Sequence, residues 1–130
     1  MTPEITAARA LEREGIRTNV TLVFSVSQAI LPAKNGSMFV SPFIGWKEAN
    51  GEDGRRYISD IVQTYKNYGW YGKTQIICAA VRTGRQIADC AIAGADIVTA
   101  GMAVYQDSMV HPYTGQGMDI FRSAWDNTAK

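Results

Sequence analysis

The sequence predicts an α/β protein in which helices cover a parallel β-sheet. Two observations support this fold class. Amphipathic helical segments alternate with short apolar segments, and each apolar segment is a nearly continuous run instead of an alternation of apolar and polar residues. Continuous runs are typical of parallel strands, because such strands are buried on both faces. Residues 1–100 form four helix–strand units and residues 101–130 a helical tail, so we expect a single domain.

Local signals define the strands and two of the helix starts. The strands are predicted at residues 16–24, 38–40, 74–80 and 96–99. Ser25 is followed three residues later by Gln28, and Thr83 by Gln86. This spacing is that of a capping box, in which the two side chains satisfy free N–H groups at the start of a helix. We therefore expect helices to begin directly after the first and third strands.

The longest helix is expected after the polar loop at residues 47–54. Apolar and aromatic side chains recur there at helical spacing: Tyr57, Ile58, Ile61, Val62, Tyr65 and Tyr68. The acidic residues of the preceding loop are expected to interact with the N-terminus of this helix and not with a cation. In the tail, Met118, Phe121 and Trp125 are predicted to form an apolar stripe on a helix.

Four parallel units fit two architectures. One is half of a (β/α)8 barrel, and the other is a small open, doubly wound sheet. The length of 130 residues favours the open sheet, since complete barrels usually need about 250 residues. The pattern of helices and strands does not separate the two.

Composition excludes several classes of partner. The formal net charge is +1 at pH 7 and no basic stripe is present, which gives no electrostatic reason to expect nucleic acid or an anionic membrane as a partner. No apolar run approaches the ~20 residues of a membrane span, and the first residues do not resemble a secretion signal. A cytoplasmic location is expected.

No cofactor or metal ion is predicted. The chain has no glycine-rich nucleotide motif and no carboxylate pair at metal-binding spacing. Cys78 and Cys90 lie in apolar runs without the spacing of a zinc site or a redox pair, so we interpret them as buried, reduced thiols. His111 precedes Pro112 in a predicted turn, and we interpret it as structural.

Candidate functional residues lie where the strands end, because parallel sheets bind ligands at that edge. Asn19 and Thr21 share one face of an otherwise apolar strand. A buried amide and hydroxyl need hydrogen-bond partners, which are either neighbouring backbone groups or a hydroxylated substrate and a catalytic water. Ser41 and Phe43 share a face in the same way, although a phenylalanine by itself is more typical of a core.

Two cations follow strands. Arg82 stands between the third strand and a capped helix, where a guanidinium either binds phosphate or is simply solvated. Lys47 follows the second strand and is a weak candidate for a nucleophilic amine, since nothing in its surroundings indicates the desolvation that would lower its pKa.

The motifs resemble those of one enzyme family. The segment 15–25, Gly-Ile-Arg-Thr-Asn-Val-Thr-Leu-Val-Phe-Ser, resembles the fifth strand of transaldolases, and Ser-Pro-Phe-Ile-Gly at 41–45 resembles their sixth strand. Residues 73–76 and 94–99 resemble the seventh and eighth strands. Residues 109–112 and the following helix resemble the small transaldolase and fructose-6-phosphate aldolase subgroup. The resemblance implies that the chain is the C-terminal half of a (β/α)8 TIM barrel.

The resemblance also implies a chemistry that needs no metal or cofactor. In the family, a lysine on the fourth strand forms a Schiff base with a ketose phosphate, and a dihydroxyacetone unit is transferred or released. Asn19 matches a residue that binds substrate hydroxyls, and Thr21 matches one that holds the catalytic water. Ser41 and Phe43 match residues that line the substrate pocket, and Arg82 matches a phosphate ligand.

Two departures from the family pattern affect the expected activity. The lysine-bearing strand has no counterpart in these 130 residues. Trp46 stands where the family has a phosphate-binding arginine, and Ala80 stands where it has a serine. One hypothesis is a transaldolase completed by a separate N-terminal half-barrel or by an upstream segment. A second hypothesis, which we favour for the isolated chain, is a non-catalytic, oligomeric half-barrel, and a third is a truncated gene product.

Overall fold

A computed structural model describes residues 2–128 and confirms an α/β fold with four parallel strands. The elements are α1 (Thr2–Arg13), β1 (Asn19–Val23), α2 (Val26–Lys34), β2 (Phe39–Pro42), α3 (Ile44–Ala49), α4 (Gly54–Asn67), β3 (Gln75–Val81), α5 (Gly84–Ala93), β4 (Ile97–Ala100), α6 (Met102–Ser108) and α7 (Pro112–Thr128). Each strand overlaps the segment that the apolar runs predict. The strands follow one another across the sheet in the order β1-β2-β3-β4, and every neighbouring pair is parallel.

Two strands carry a bulge near their carboxyl ends. The register of β1 shifts against β2 between Val20 and Val23, and β3 shifts against β4 in the same way. Each shift contains one non-glycine residue with positive φ, Leu22 at 56° and Ala80 at 55°. A bulge bends its strand and redirects the side chains that follow it. The carboxyl edge of the sheet is therefore shaped by these two positions.

One face of the sheet forms the hydrophobic core. Side chains on this face pack against the helices and are fully or almost fully buried; from the strands they include Val20, Val23, Val40, Ile76, Cys78 and Val81, and from the helices Ala29, Ile58, Ile61, Tyr65 and Cys90. The opposite face is not covered by any element of residues 2–128. Its residues at the two edges, among them Asn19, Thr21, Ile97 and Thr99, are exposed.

The predicted capping boxes are present. Ser25 Oγ accepts a hydrogen bond from Gln28 N (3.2 Å), and Thr83 Oγ1 accepts one from Gln86 N (3.1 Å). Asp53 caps α4 by accepting from Arg56 N at 2.9 Å, so this acidic residue serves the helix start, as expected.

Two predictions about the helices are wrong. Residues 44–49 form α3, whereas no helix was predicted there and a polar loop was expected from residue 47. This helix is too short to show a helical period, and the complete burial of Ile44 fixes it in place. The longest helix is α7 with 17 residues, not α4 with 14.

The tail helix α7 makes little contact with the rest of the chain. No residue of α7 is buried, and the predicted stripe of Met118, Phe121 and Trp125 is exposed. The stripe therefore does not fold back on the other helices within residues 2–128. In contrast, α6 packs against α5.

Cys78 and Cys90 are buried and form no disulfide. A hydrogen bond to Cys90 and burial raise the pKa of the Cys78 thiol, which keeps it protonated. Among residues 2–128, no helix has the length and apolar character needed to cross a membrane, and no group of histidine, cysteine or acidic residues is arranged to hold a metal ion.

Candidate functional site

The predicted site residues of the first two strands meet at one hydrogen bond. Ser41 is almost completely buried, and its Oγ donates to Asn19 Oδ1 at 2.8 Å. Because the hydroxyl engages the amide oxygen, the amide nitrogen of Asn19 remains without a hydrogen bond inside residues 2–128. Ser41 thus fixes the orientation of a side chain that is available to donate to a ligand.

Asn19 and Thr21 are exposed, whereas the sequence led us to expect them to be buried. The reason is that no element of residues 2–128 covers this face of the sheet. Both side chains lie on the same side of β1, as their spacing predicts. The uncovered face therefore presents two polar groups of β1, Asn19 at the amino end of the strand and Thr21 at its middle.

Phe43 belongs to an aromatic cluster that sequence reasoning missed. The rings of Phe24, Phe43 and Trp46 contact one another with centroid distances of 5.5–5.6 Å. Phe24 and Trp46 stack, while Phe43 meets Trp46 edge-on, which are favoured aromatic geometries. Trp46 is nevertheless 51% exposed. The cluster gives the carboxyl ends of β1 and β2 a rigid apolar surface.

Arg82 is held by its backbone while its guanidinium remains free. Arg82 N donates to Gln86 Oε1 at 2.7 Å, and Gln86 Nε2 donates to Glu48 Oε2 at 2.5 Å. Glu48 lies in α3 and Gln86 in α5, so this chain of bonds ties the two helices together. The guanidinium forms no ion pair or side-chain hydrogen bond with any other described residue.

A shallow depression of about 350 Å³ lies between the aromatic cluster and this arginine. It is lined by Trp46, Ala49, Asn50 and Arg82 and is called the Trp46–Arg82 depression below. Gly45 makes it possible, because a Cβ at this position would lie 1.9 Å from the carbonyl oxygen of Ala80 and 3.6 Å from Arg82 Cγ. Only glycine lets α3 approach the bulge of β3 closely enough to bring Trp46 beside Arg82.

Lys47 is engaged and is not a free amine. Its Nζ donates to the Phe24 carbonyl at 3.0 Å, pairs with the Glu52 carboxylate and lies 4.7 Å above the Tyr57 ring. The hydrogen bond from Lys47 lowers the pKa of Glu52. These contacts engage the amine, so Lys47 has a structural role and does not support the idea of a substitute nucleophile.

A cavity follows the free edge of β1. It has a volume of about 710 Å³ and runs between α1 and β1. Its lining comprises Glu4, Ala7, Ala8, Leu11, Arg17, Thr18, Asn19, Val20, Thr21, Leu22 and Gln28. This α1–β1 groove contains both Asn19 and Thr21, and β1 has no strand partner on this side among the described residues.

A four-stranded parallel sheet whose strands are joined by helices defines a protein of the α/β class. The profile of the Transaldolase/Fructose-6-phosphate aldolase family matches residues 1–129, and the chain belongs to this family. The resemblance inferred from the strand motifs is thereby confirmed.

Curated relatives agree with this assignment. A 6-deoxy-6-sulfo-D-fructose transaldolase from Priestia aryabhattai is 56% identical over 126 residues, which are 97% of this chain and 55% of that protein. A probable transaldolase from Cereibacter sphaeroides is 45% identical over 124 residues, covering 95% of this chain and 56% of the relative. The chain thus spans about half the length of the curated relatives it matches.

A solved structure gives independent support for the fold alone. A mandelate oxidase variant with a monooxide FMN adduct superposes with a TM-score of 0.53 at 14% identity. The match covers 75% of this chain and 31% of that chain. The α/β arrangement is therefore found as part of a larger known structure.

Proposed function

We propose that the chain supplies strands five to eight of a (β/α)8-barrel transaldolase. The uncovered face of the sheet supports this proposal, because parallel sheets normally have both faces covered. In a closed barrel this face lines the interior and Asn19 and Thr21 point into it. The half-length match to the curated relatives agrees with the same arrangement.

The α1–β1 groove is the proposed position of the preceding strand. In this chain helices connect each strand to the next, and neighbouring strands are parallel. By the same rule, α1 connects a preceding strand to β1 by a right-handed crossover, which places that strand at the free edge of β1. The family resemblance assigns the Schiff-base lysine to this strand, next to Asn19 and Thr21.

The proposed reaction is a class I aldol transfer. The lysine amine adds to the ketose carbonyl, water leaves, and the resulting iminium accepts the electron pair released when the C3–C4 bond breaks. As this bond breaks, the C4 hydroxyl gives its proton to the catalytic water and the C4 fragment leaves as an aldehyde. The enamine then attacks the carbonyl of an aldose acceptor or is protonated at C3. In either case water hydrolyses the resulting iminium, which frees the lysine and releases the new ketose or dihydroxyacetone. Asn19, oriented by Ser41, donates to substrate hydroxyls, Thr21 holds the catalytic water, and Phe43 lines the pocket. Arg82 binds the anionic end of the donor.

The donor is a ketose with an anionic group on its last carbon. A sugar phosphate agrees with the family name, and a sulfo-sugar agrees with the activity named for the Priestia aryabhattai relative. The observation that carries the proposal is the Ser41–Asn19 hydrogen bond on the uncovered face, with Thr21 beside it. A cytoplasmic location agrees with two unpaired cysteines.

The test is fragment complementation followed by borohydride trapping. This chain is co-expressed with the part of the Priestia aryabhattai relative that it does not cover, and the complex is incubated with fructose 6-phosphate or 6-deoxy-6-sulfo-fructose. Intact mass is expected to show one reduced adduct, on the added fragment and absent when this chain is treated alone. A folded complex without an adduct contradicts the proposal. An adduct on Lys47 of this chain contradicts the assignment of the nucleophile.

A second candidate is a homo-oligomer without catalytic activity. The exposed stripe of α7 and the free edges of β1 and β4 favour it, because apolar patches and unpaired strand edges promote association. Sedimentation equilibrium of the isolated chain is expected to show a dimer or a larger assembly. A monodisperse monomer contradicts this second proposal and leaves the first intact.

A further inference from the structure

The Trp46–Arg82 depression combines one free cation with an apolar aromatic wall. We infer that it is the subsite for the anionic end of the donor and that it selects a sulfonate over a phosphate. The inference rests on the proposed function and adds the class of substrate to it. Three features of the depression carry it: its charge, its wall and the way its residues are held.

The charge of the depression corresponds to one elementary unit. Lys47 is paired with Glu52, and Arg85 Nε donates to both carboxylate oxygens of Asp89 at 3.0–3.1 Å. Of the cations near the depression in the described part of the chain, Arg82 alone has an unpaired side chain. A phosphate monoester carries about −1.5 to −2 charges at pH 7, whereas a sulfonate carries one. A single guanidinium therefore balances a sulfonate and leaves a phosphate under-compensated.

The apolar wall of the depression also favours a sulfonate over a phosphate. Trp46 places an apolar indole face beside the guanidinium, and the Phe24 and Phe43 rings hold it there. Moving a charge against an apolar surface costs free energy, and the cost is larger for a doubly charged group. Ala80 offers no side-chain hydrogen-bond donor that would offset this cost.

Hydrogen bonds between α3 and α5 hold the residues of the depression in place. Glu48 is two residues from Trp46 and accepts from Gln86, which in turn accepts from the backbone of Arg82. The same hydrogen bonds keep the Arg82 backbone fixed against α3, so the single cation cannot easily be displaced from the wall.

The test is an NMR titration of the full chain that follows the Trp46 indole N–H. The ligands are 6-deoxy-6-sulfo-fructose, fructose 6-phosphate and uncharged fructose. The sulfonate is expected to bind about tenfold more tightly than the phosphate, because one uncompensated charge opposes the latter. Arg82→Gln is expected to abolish this binding, while the matched control Arg85→Gln retains it.

Two variants at the wall separate charge from shape. Trp46→Phe keeps an aromatic wall and is expected to keep the preference for sulfonate. Trp46→Arg adds a second cation and is expected to reverse this preference. Because both variants lack the indole, their titrations follow the Arg82 side-chain N–H signal. Equal binding of the two anions, tighter binding of phosphate, or no binding by the folded wild-type chain overturns the inference. The titration reports binding and not Schiff-base formation. A failed titration with successful borohydride trapping therefore contradicts this inference alone, and a successful titration with failed trapping contradicts the proposed function alone.

Discussion

The two faces of the sheet differ in what they contribute. On the helix-covered face, Val40 and Ile76 are completely buried and supply the packing that holds the fold together. On the other face, Asn19 and Thr21 are exposed, and their polar side chains do not belong to the hydrophobic core. The comparison teaches that the residues that stabilise the fold and those proposed for the chemistry alternate along the same strands, so we expect that each set can be changed with little effect on the other.

The sharpest test of this comparison makes the same substitution on both faces. Ile76→Ala removes a completely buried side chain and is expected to lower the free energy of unfolding by about 2–5 kcal/mol. Ile97→Ala, at a side chain that is 37% exposed on the uncovered face, is expected to cost less than about 1 kcal/mol. Urea denaturation measures both. Equal losses would show that the two faces do not differ in stability.

The next largest loss of stability is expected where α3 contacts the bulge of β3. Gly45→Ala places a Cβ 1.9 Å from the Ala80 carbonyl oxygen and is expected to cost about 1–3 kcal/mol, because backbone has to move. Gly101→Ala is the matched control, since no atom lies within 4 Å of its Cβ position. Thermal unfolding that is unchanged in Gly45→Ala would mean that α3 and β3 are not in close contact.

A smaller loss of stability is expected near the start of β1, where Glu12 of α1 bonds the segments that precede β1 and β2. Its Oε1 accepts from Thr18 N (2.6 Å), Thr18 Oγ1 (2.7 Å) and Met38 N (2.9 Å). Burial opposes ionisation of Glu12, but these hydrogen bonds outweigh it and lower its pKa below the ordinary value of 4.5. Because the folded pKa is lowered, the stabilisation is present above pH 4.5 and is lost as the pH falls through the folded value.

Replacement of Glu12 tests this pH dependence. Glu12→Gln is expected to lower the free energy of unfolding by roughly 1 kcal/mol at neutral pH, since a charged acceptor is exchanged for a neutral one. The decline of stability below pH 4.5 is expected to be shallower in this variant. Glu14→Gln, at an exposed side chain, serves as the control. Identical pH profiles for Glu12→Gln and the unmodified chain would contradict the assignment.

The smallest effect on stability is expected on the uncovered face. Thr21→Val exchanges one exposed side chain for another of similar shape, and we expect a change within about 0.5 kcal/mol. In the complemented complex, however, the yield of borohydride-trapped adduct is expected to fall at least about tenfold, because the catalytic water loses its partner. Thr99→Val, exposed on the same face of β4, is the control. A normal adduct yield in Thr21→Val would remove Thr21 from the site.

The sequence predicts what local patterns determine. The four strands, the capping boxes at Ser25 and Thr83 and the cap at the start of α4 were all predictable, because each depends on residues close together in the chain. The short helix α3 was not predictable, since the burial of Ile44 and the close approach at Gly45 depend on tertiary packing.

The candidate site was predictable in its members but not in its arrangement. Asn19 and Ser41 were identified separately, and their hydrogen bond depends on the register between β1 and β2. Burial of Asn19 was wrongly expected, because the sequence pattern does not reveal whether a second layer covers that face. The role of Trp46 required the structure, since its ring contacts come from residues distant in sequence.

The paired bulges define a building block larger than one strand. Leu22 and Ala80 share the left-handed conformation, and each precedes a capping box in which a glutamine, Gln28 or Gln86, bonds the residue before the cap. The same motif therefore occurs in alternate strands, at the same offset throughout, while β2 and β4 lack the bulge. The natural unit for recombining this sheet with another parallel sheet is accordingly a pair of strands. A graft that shifts the strand order by one places two bulged strands side by side, whereas a shift by a pair preserves the alternation.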